Sequence, residues 1–390
     1  MKLQFLNLKQ RYNLKDYKFT LILLVLAVSV IGVFMVGSAN AEYQPRQIMG
    51  VGLGLLAMVV ISLIDYKWIL NFYWLMYVVN IALLLAVIFL GTEANGATRW
   101  LDLGFVQFQP SEIAKIAAIV CISYLIVQMG KQIQTLRATV VLLGIGGVLG
   151  ATAYLATDNL STGIIICGIT WILVAMASPY TRYFVAITAV MFVLLVILVQ
   201  ILKFSIDTAE SGSFRVQRVL VWLHPEQNSD AGGYQVMQAL YAIGSGGFFG
   251  KGLGNSVQKL GSVPEAQNDM IFSIVCEELG IFGGALVLLL FAYLLYRLFF
   301  ISQNAPDLFG SLLVAGIMIH IALQVILNIC VVTNIIPTTG VTLPFVSYGG
   351  TSILFLMAEM GIALGVSHQI KLQEVEEESR KQIAVSGQRH

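Results

Sequence analysis

Residues 264–300 read PEAQNDMIFSIVCEELGIFGGALVLLLFAYLLYRLFF. In this stretch a polar segment ends at Asp269, and an apolar run long enough to cross a bilayer begins at Met270. The polar segment extends from Ser205 to Asp269, and nearly everything on either side of it is apolar. We therefore expect this interruption to carry the chemistry and the flanking runs to lie in lipid.

The overall composition is that of a membrane protein. Of 390 residues, 58% are hydrophobic and 11% are charged, whereas soluble domains are about 25% charged. A net charge of +1, without a basic block interleaved with aromatic residues, argues against a nucleic-acid partner. The four cysteines lack CxxC spacing and the four histidines are dispersed, so we expect neither a disulfide framework nor a zinc site.

Ten apolar runs have spanning length, and each must be helical because lipid offers the backbone no hydrogen-bond partner. We predict an all-α polytopic membrane protein with ten transmembrane helices and a large extracytoplasmic loop, 205–269, between helices 7 and 8. The runs that begin at Met270 and Leu308 exceed a bilayer, so we expect them to tilt, kink or protrude. The predicted runs are Phe19–Gly37, Gln47–Ile64, Trp68–Leu90, Glu112–Met129, Ala138–Ala156, Thr162–Ala177, Arg182–Lys203, Met270–Phe300, Leu308–Ile336 and Phe345–Ser367.

The distribution of Lys and Arg predicts the orientation in the membrane. With the N-terminus inside, the short outer connections hold Arg46 and Arg99, and the cytoplasmic side holds more basic residues. Those residues are Lys67, Lys131, Arg137, Arg182 and Arg297. We therefore expect residues 1–18 to form a cytoplasmic basic tail, 19–367 the transmembrane domain and 368–390 a second cytoplasmic tail.

Charges within the spans need partners, because an ionisable group in lipid is costly unless it is paired or functional. Glu112 and Lys115, three residues apart, are natural partners on one helix. Glu277 and Glu278 lie about two turns into the eighth span. Lys115 is the buried cation that we expect to pair with at least one of them, which gives all four residues a structural role.

The polar interruption contains a glycine-rich run, GSGGFFGKGLGN, at residues 244–255. Its spacing matches neither a Walker A loop nor G-x-G-x-x-G, so we expect no nucleotide. The run is either a tight turn or a close-packed backbone that places Lys251 near a phosphate of a lipid-linked substrate. Arg215 and Arg218 would share one face of a helix over 214–223, either as headgroup anchors or as phosphate clamps. A second short helix is predicted over 234–243.

Asp269 is an isolated carboxylate at the membrane edge. Taken alone, it is compatible with a helix N-cap or with a catalytic acid.

Several motifs, in order along the chain, resemble the SEDS family (shape, elongation, division and sporulation). Residues 255–259 and 264–266 look more like its FtsW and SpoVE branch than like RodA. The motifs are GATRW (96–100), QPSEIAK (109–115), GYQ (233–235), GKGLG (250–254), PEAQNDMIF (264–272), EELG (277–280) and PTTGVTLPFVSYGG (337–350).

The resemblance implies a peptidoglycan glycosyltransferase that polymerises lipid II on the outer face of the bacterial plasma membrane. It also implies that polyprenyl-diphosphate-linked glycan is a second substrate. The implied protein partners are a class B penicillin-binding protein and divisome or elongasome proteins. The family's essential acid falls on Asp269, although Met270 stands where the family usually has Phe. Arg99, Lys251, Arg215 and Arg218 are expected to hold diphosphate, with Gln235 and Ser347 as further substrate contacts.

The expected chemistry needs one acid, because a polyprenyl diphosphate departs without protonation. Asp269 would serve as the general base, or as the acid that positions a divalent cation, Mg²⁺ or Mn²⁺. A lipid II flippase and a scaffold that recruits a penicillin-binding protein are the alternatives that the sequence leaves open.

Overall fold

The structure is a computed structural model that describes residues 15–94, 97–102, 104, 107–205, 214–227, 233–259 and 266–387. The first fourteen residues of the predicted N-terminal tail lie outside this range, as do Gly96, Pro264 and Glu265 of the motifs quoted above. The side chain of Arg215 is also outside the description.

The prediction of ten spanning helices is confirmed within the described residues. The spans are α1 (Lys15–Ala39), α2 (Gln44–Leu63), α3 (Tyr73–Leu90), α4 (Pro110–Met129), α5 (Leu136–Thr157), α6 (Leu160–Ala177), α7 (Thr181–Ser205), α10 (Ile271–Gln303), α11 (Leu308–Val332) and α12 (Thr351–Gly387). Two 3-10 helices, Tyr66–Phe72 and Gly130–Gln134, extend α3 and α4 at one end of the bundle.

The long polar interruption contains two helices, as predicted: α8 (Phe214–Leu223) and α9 (Gly233–Ser245). A small antiparallel sheet, with strand order β1-β2-β3, was not predicted. Its strands are β1 (Thr92–Ala94), β2 (Ala97–Asp102) and β3 (Gln107–Phe108), all in the connection between α3 and α4. The fold class remains all-α, and the sheet presents Arg99 from its middle strand.

The ninth span is shorter than predicted because α11 ends at Val332, and the tenth begins later than predicted, at Thr351, although its helix continues to Gly387. The intervening residues, 333–350, contain Pro337 and Pro344, which lack the N–H that a helix interior needs. They fold as an irregular, largely buried segment, which we call the α11–α12 loop.

Because consecutive spans cross the bundle in opposite directions, alternate connections meet at the same end. The residues after α1, α3, α5, α7 and α11 lie together at one end, which we call the loop end. Hydrogen bonds between these connections confirm the grouping, for example from Ser161 Oγ to the Thr339 carbonyl at 3.0 Å. At the opposite end Tyr66 and Lys67 contact Asp307, with Tyr66 OH 2.7 Å from its carboxylate.

Helix α10 is broken at Gly280, where the backbone adopts φ 70° and ψ −169°, and this agrees with the expected kink. The break frees backbone groups that lipid cannot satisfy. The glycine-rich run supplies the partners: Lys251 N and Gly252 N donate to the carbonyls of Glu277 and Glu278 (2.9 Å each), while Ile281 N donates to the Gly247 carbonyl (2.9 Å). The run is therefore a close-packed backbone and not a flexible turn.

Candidate active site

Asp269 lies at the loop end, in the last turn before α10, and is partly exposed. Its main chain is fixed by Asn328 of α11, whose Nδ2 donates to the Asp269 carbonyl at 2.7 Å. The same amide donates to the Val341 carbonyl at 2.7 Å. Asn328 is fully buried, so one side chain ties the entry of α10 to α11 and to the α11–α12 loop.

The α11–α12 loop also binds the turn that carries Asp269. Tyr348 N donates to the Gln267 carbonyl at 2.8 Å. Ser347 is 2% exposed, and its hydroxyl accepts a hydrogen bond from Leu343 N at 2.7 Å. Gln47 Nε2 donates to the Ser347 carbonyl at 3.2 Å. The structure thus shows Ser347 holding the loop, and a substrate contact of its hydroxyl stays a prediction.

Arg99 projects from β2 toward the end of α5 and toward the α11–α12 loop. Its Nε donates to the Thr157 carbonyl at 3.2 Å, and its Nη1 lies 3.9 Å from where a Cβ on Gly340 would stand. A larger residue at 340, where φ is +68°, would strain the backbone beside this guanidinium.

Four charged side chains act on one another around Arg99. Its pKa is lowered, first because burial disfavours the charged form and second because the positive charge of Arg218 is near. The carboxylates of Asp158 and Asp269 act in the opposite direction and raise the pKa of Arg99. An arginine stays protonated under such shifts. Arg99 is therefore partly buried at the loop end, within electrostatic reach of a second guanidinium and of two carboxylates.

Gln235, the remaining predicted contact, lies in the first turn of α9 and is partly exposed. Helix α9 packs along α10, with Val236, Ala239 and Ala242 buried. The backbone of Arg215 lies in α8, one turn before Arg218. A substrate contact for each of these residues stays a prediction.

The expected pairing of Lys115 with Glu277 or Glu278 is wrong. Lys251 Nζ lies 2.6 Å from Glu277 Oε1, and Lys259 Nζ lies 3.1 Å from Glu278 Oε1. Both carboxylates are fully buried. The cations come from the glycine-rich segment because that segment folds back against α10, an arrangement that spacing along the chain does not reveal.

Further donors complete the shell around the two carboxylates. Ser256 Oγ donates to Glu277, and Gly254 N donates to Glu278 Oε2 at 3.0 Å. Ser38, at the end of α1, donates to Glu278. Lys251, predicted to bind a substrate phosphate, therefore has its ammonium group engaged by Glu277 and by the Ser245 hydroxyl at 2.9 Å. Its role in this structure is to hold the glycine-rich segment.

Lys115 pairs with Glu112 on its own helix, with Nζ 2.8 Å from Oε1, and both residues are buried. Ser352 Oγ of α12 donates to the other oxygen of Glu112 at 2.9 Å. This pair joins α4 to the first turn of α12, next to the α11–α12 loop.

We expect Lys115→Met to lower the free energy of unfolding by roughly 3–5 kcal/mol, because it leaves the Glu112 carboxylate buried without its cation. The measurement is thermal unfolding of the purified protein together with the yield of monodisperse material. The double variant Glu112→Gln/Lys115→Met is the control and should recover most of the loss. Wild-type stability for Lys115→Met alone would contradict the pairing.

Sequence reasoning missed a second buried pair, His320 of α11 with Glu359 of α12, where Nδ1 lies 2.9 Å from Oε2. His320, Gln324 and Asn328 recur every four residues and are all buried. That spacing puts them on one face of α11, a polar stripe inside an apolar span that was visible in the sequence. Asp158, at the end of α5, was not predicted as a site residue, although its charge acts on Arg99.

The described residues contain no group of three or more His, Cys, Asp or Glu side chains arranged to hold a metal ion. A divalent cation at the loop end would therefore need oxygen ligands from the substrate in addition to the carboxylates of Asp158 and Asp269.

The fold and this loop end define a polytopic membrane protein with a charged, extramembranous site at one end of a ten-helix bundle. The sequence matches the FtsW/RodA/SpoVE family, described as cell cycle proteins, over residues 15–372. The chain belongs to this family.

Relatives match over nearly their whole length. Stage V sporulation protein E of Bacillus subtilis (strain 168) is 36% identical over 361 residues, which cover 89% of this chain and 96% of that protein. A probable peptidoglycan glycosyltransferase FtsW of Trichlorobacter lovleyi is 33% identical over 94% of this chain and 97% of its own. Among solved structures, a chain of a peptidoglycan synthase complex that coordinates polymerization and crosslinking superposes with a TM-score of 0.74 at 26% identity, covering 90% of this chain and 98% of that one.

Proposed function

We propose that this chain is a peptidoglycan glycosyltransferase that polymerises lipid II into glycan strands, with Asp269 as its general base. The observation that carries the proposal is the group of Arg99, Arg218, Asp158 and Asp269 at the loop end. Two guanidinium groups suit a diphosphate, and a carboxylate beside them suits an acceptor hydroxyl. Family membership and the glycosyltransferase name of the FtsW relative support the reaction class.

The reaction needs few groups from the protein. Asp269 removes the proton of the acceptor sugar hydroxyl, whose oxygen forms a bond to the anomeric carbon of the donor. The bond from that carbon to the diphosphate oxygen breaks, and the diphosphate leaves with the electron pair. Arg99 stabilises the negative charge that develops on it, and Arg218 binds the diphosphate equally in the bound donor and in the transition state, so that its contribution falls on KM. A single displacement inverts the anomeric centre, so an α-linked lipid donor gives a β-linked glycan.

The site offers two carboxylates as ligands for a divalent cation. Mg²⁺ is usually held by one or two carboxylates together with substrate phosphates, and Asp269 and Asp158 are the carboxylates that act on Arg99. They would hold the ion, which when bound would neutralise charge on the departing diphosphate. Asp269 would then orient the ion as well as the acceptor.

The proposed orientation places the loop end outside the cell and both chain termini in the cytoplasm. Support comes from the basic residues of the short connections, since Lys67, Lys131 and Arg182 lie at the opposite end of the bundle. Lipid II would reach the loop end from the outer leaflet. The similarity to a chain of a synthase complex supports a class B penicillin-binding protein as the partner that crosslinks the product.

Glycan-chain formation from purified lipid II tests this function. The full-length protein, co-purified with its penicillin-binding protein, is incubated with labelled lipid II and an inhibitor of unrelated transglycosylases, and the products are separated by gel electrophoresis. We expect polymer that disappears on muramidase digestion. Transbilayer movement of lipid II without polymer would contradict the proposal and favour a flippase, and polymer formed by the partner alone would favour a scaffold.

A further inference from the structure

Helix α8, which carries Arg218, is fastened to the α11–α12 loop by a reciprocal pair of hydrogen bonds. Trp222 Nε1 donates to the Asn334 carbonyl at 3.0 Å, and Asn334 Nδ2 donates to the Trp222 carbonyl at 3.3 Å. Asn334 has a φ of +56°, a conformation that asparagine tolerates better than most residues. We call this pair the Trp222–Asn334 clasp.

The clasp lies one helical turn from Arg218. Residues 218 and 222 are four apart on α8 and therefore share a face. Asn334 is also only six residues from Gly340, beside which the Arg99 guanidinium lies. The same short loop thus contacts the helix that carries Arg218 and lies beside Arg99.

Two guanidinium groups near each other repel, and partial burial strengthens that repulsion. The charge of Arg218 opposes that of Arg99, whereas the carboxylates of Asp158 and Asp269 act on Arg99 in the opposite direction. The clasp is a specific contact that fixes α8 against the α11–α12 loop beside these charges.

We propose that Asn334 is a positioning residue that holds α8 so that Arg218 lies beside Arg99, and that the two arginines together bind the diphosphate of a lipid-linked substrate. The proposal rests on the proposed function for the identity of that substrate. The positioning role of Asn334 requires only that an anionic diphosphate binds at the loop end.

The test uses Asn334→Gly, which removes the side-chain amide while allowing the positive φ. We expect the KM for lipid II to rise roughly tenfold, as for loss of a charge-assisted contact, with kcat within about twofold of wild type because the base is untouched. Arg218→Ala should give a similar rise. Because both changes remove the same contact, the double variant should show no further rise.

Two other variants separate positioning from folding. Trp222→Phe keeps the aromatic ring but removes the Nε1 donor, and it should raise KM in the same direction. Asn334→Asp keeps the side-chain shape but removes the amide donor, and it should resemble Asn334→Gly. Multiplicative effects of Asn334→Gly and Arg218→Ala, or a fall in kcat alone, would overturn the proposal.

A binding measurement makes failure of this inference distinguishable from failure of the proposed function. Equilibrium binding of labelled lipid II to the detergent-purified chain, with inorganic pyrophosphate as competitor, requires no polymerisation. We expect Asn334→Gly to weaken the binding of both lipid II and pyrophosphate, even if the wild type formed no polymer. Unchanged binding of both ligands by Asn334→Gly and by Trp222→Phe would refute the clasp, whether or not polymer forms.

Discussion

Asp269→Asn is expected to lower the rate of glycan-chain formation by ~10²–10⁴-fold, the range typical of a lost general base. The amide keeps the size of the side chain but cannot accept a proton at neutral pH. The fold should survive, because Asn328 holds the backbone carbonyl of residue 269 and not its side chain. The measurement is the initial rate of polymer formation from lipid II by the purified complex.

Asp102→Asn is the matched control. Asp102 is exposed, lies in the same sheet as Arg99, and accepts hydrogen bonds from Gln107 Nε2 (3.0 Å) and Gly104 N (2.7 Å). The same chemical change there should leave the rate of polymer formation within about twofold of wild type, as expected of a surface substitution remote from the reacting groups. Equal losses in both variants would indicate a general effect of charge at the loop end and would contradict the base assignment.

Gly280→Ala is expected to cause a large loss of stability. The backbone there lies in a region open almost only to glycine, and a Cβ would stand 2.3 Å from the Phe248 carbonyl oxygen. We expect the free energy of unfolding to fall by roughly 3 kcal/mol or more, since backbone strain and the clash add. The glycine-rich segment would then lose its backbone contacts with α10. Glu277 and Glu278 would in turn lose their ion pairs with Lys251 and Lys259. Thermal unfolding and the yield of monodisperse protein measure the effect.

The control for this variant is Gly144→Ala. Gly144 is exposed on α5, and a Cβ there would meet nothing within 4 Å. Because alanine is the better helix former by about 1 kcal/mol, the control should equal or slightly exceed the wild type. A Gly280→Ala protein of wild-type stability would show that the break in α10 is not required.

The spans could be predicted because lipid imposes one solution on each apolar run, and the bounds were in error mainly where Pro337 and Pro344 interrupt the final pair. Helices α8 and α9 were also predictable from their local pattern. The charge pairs of Glu277 and Glu278 were not, because they depend on a segment that returns to α10 through backbone contacts between glycines. The spacing of residues along the sequence does not predict such a contact.

Only part of the candidate site was predicted, because contacts between distant segments also decide which polar atoms are already engaged. Asp269 and Arg99 were named from motifs and Arg218 from its spacing on a predicted helix, and the charges of Arg218, Asp158 and Asp269 all act on Arg99. Ser347 and Lys251 belong to the same motifs, but their polar atoms are engaged in holding loops. The motifs therefore identified the region, whereas only the structure shows which of their polar atoms are engaged in holding loops.

The central claim, that Asp269 acts in bond formation, is tested most directly by measuring lipid II binding and single-turnover linkage formation on the same Asp269→Asn protein. A base removed from an intact site should leave the Kd within about threefold of wild type while linkage formation falls at least ~100-fold. If linkage formation persists, or if binding falls as steeply as the rate, Asp269 is not the base that we propose.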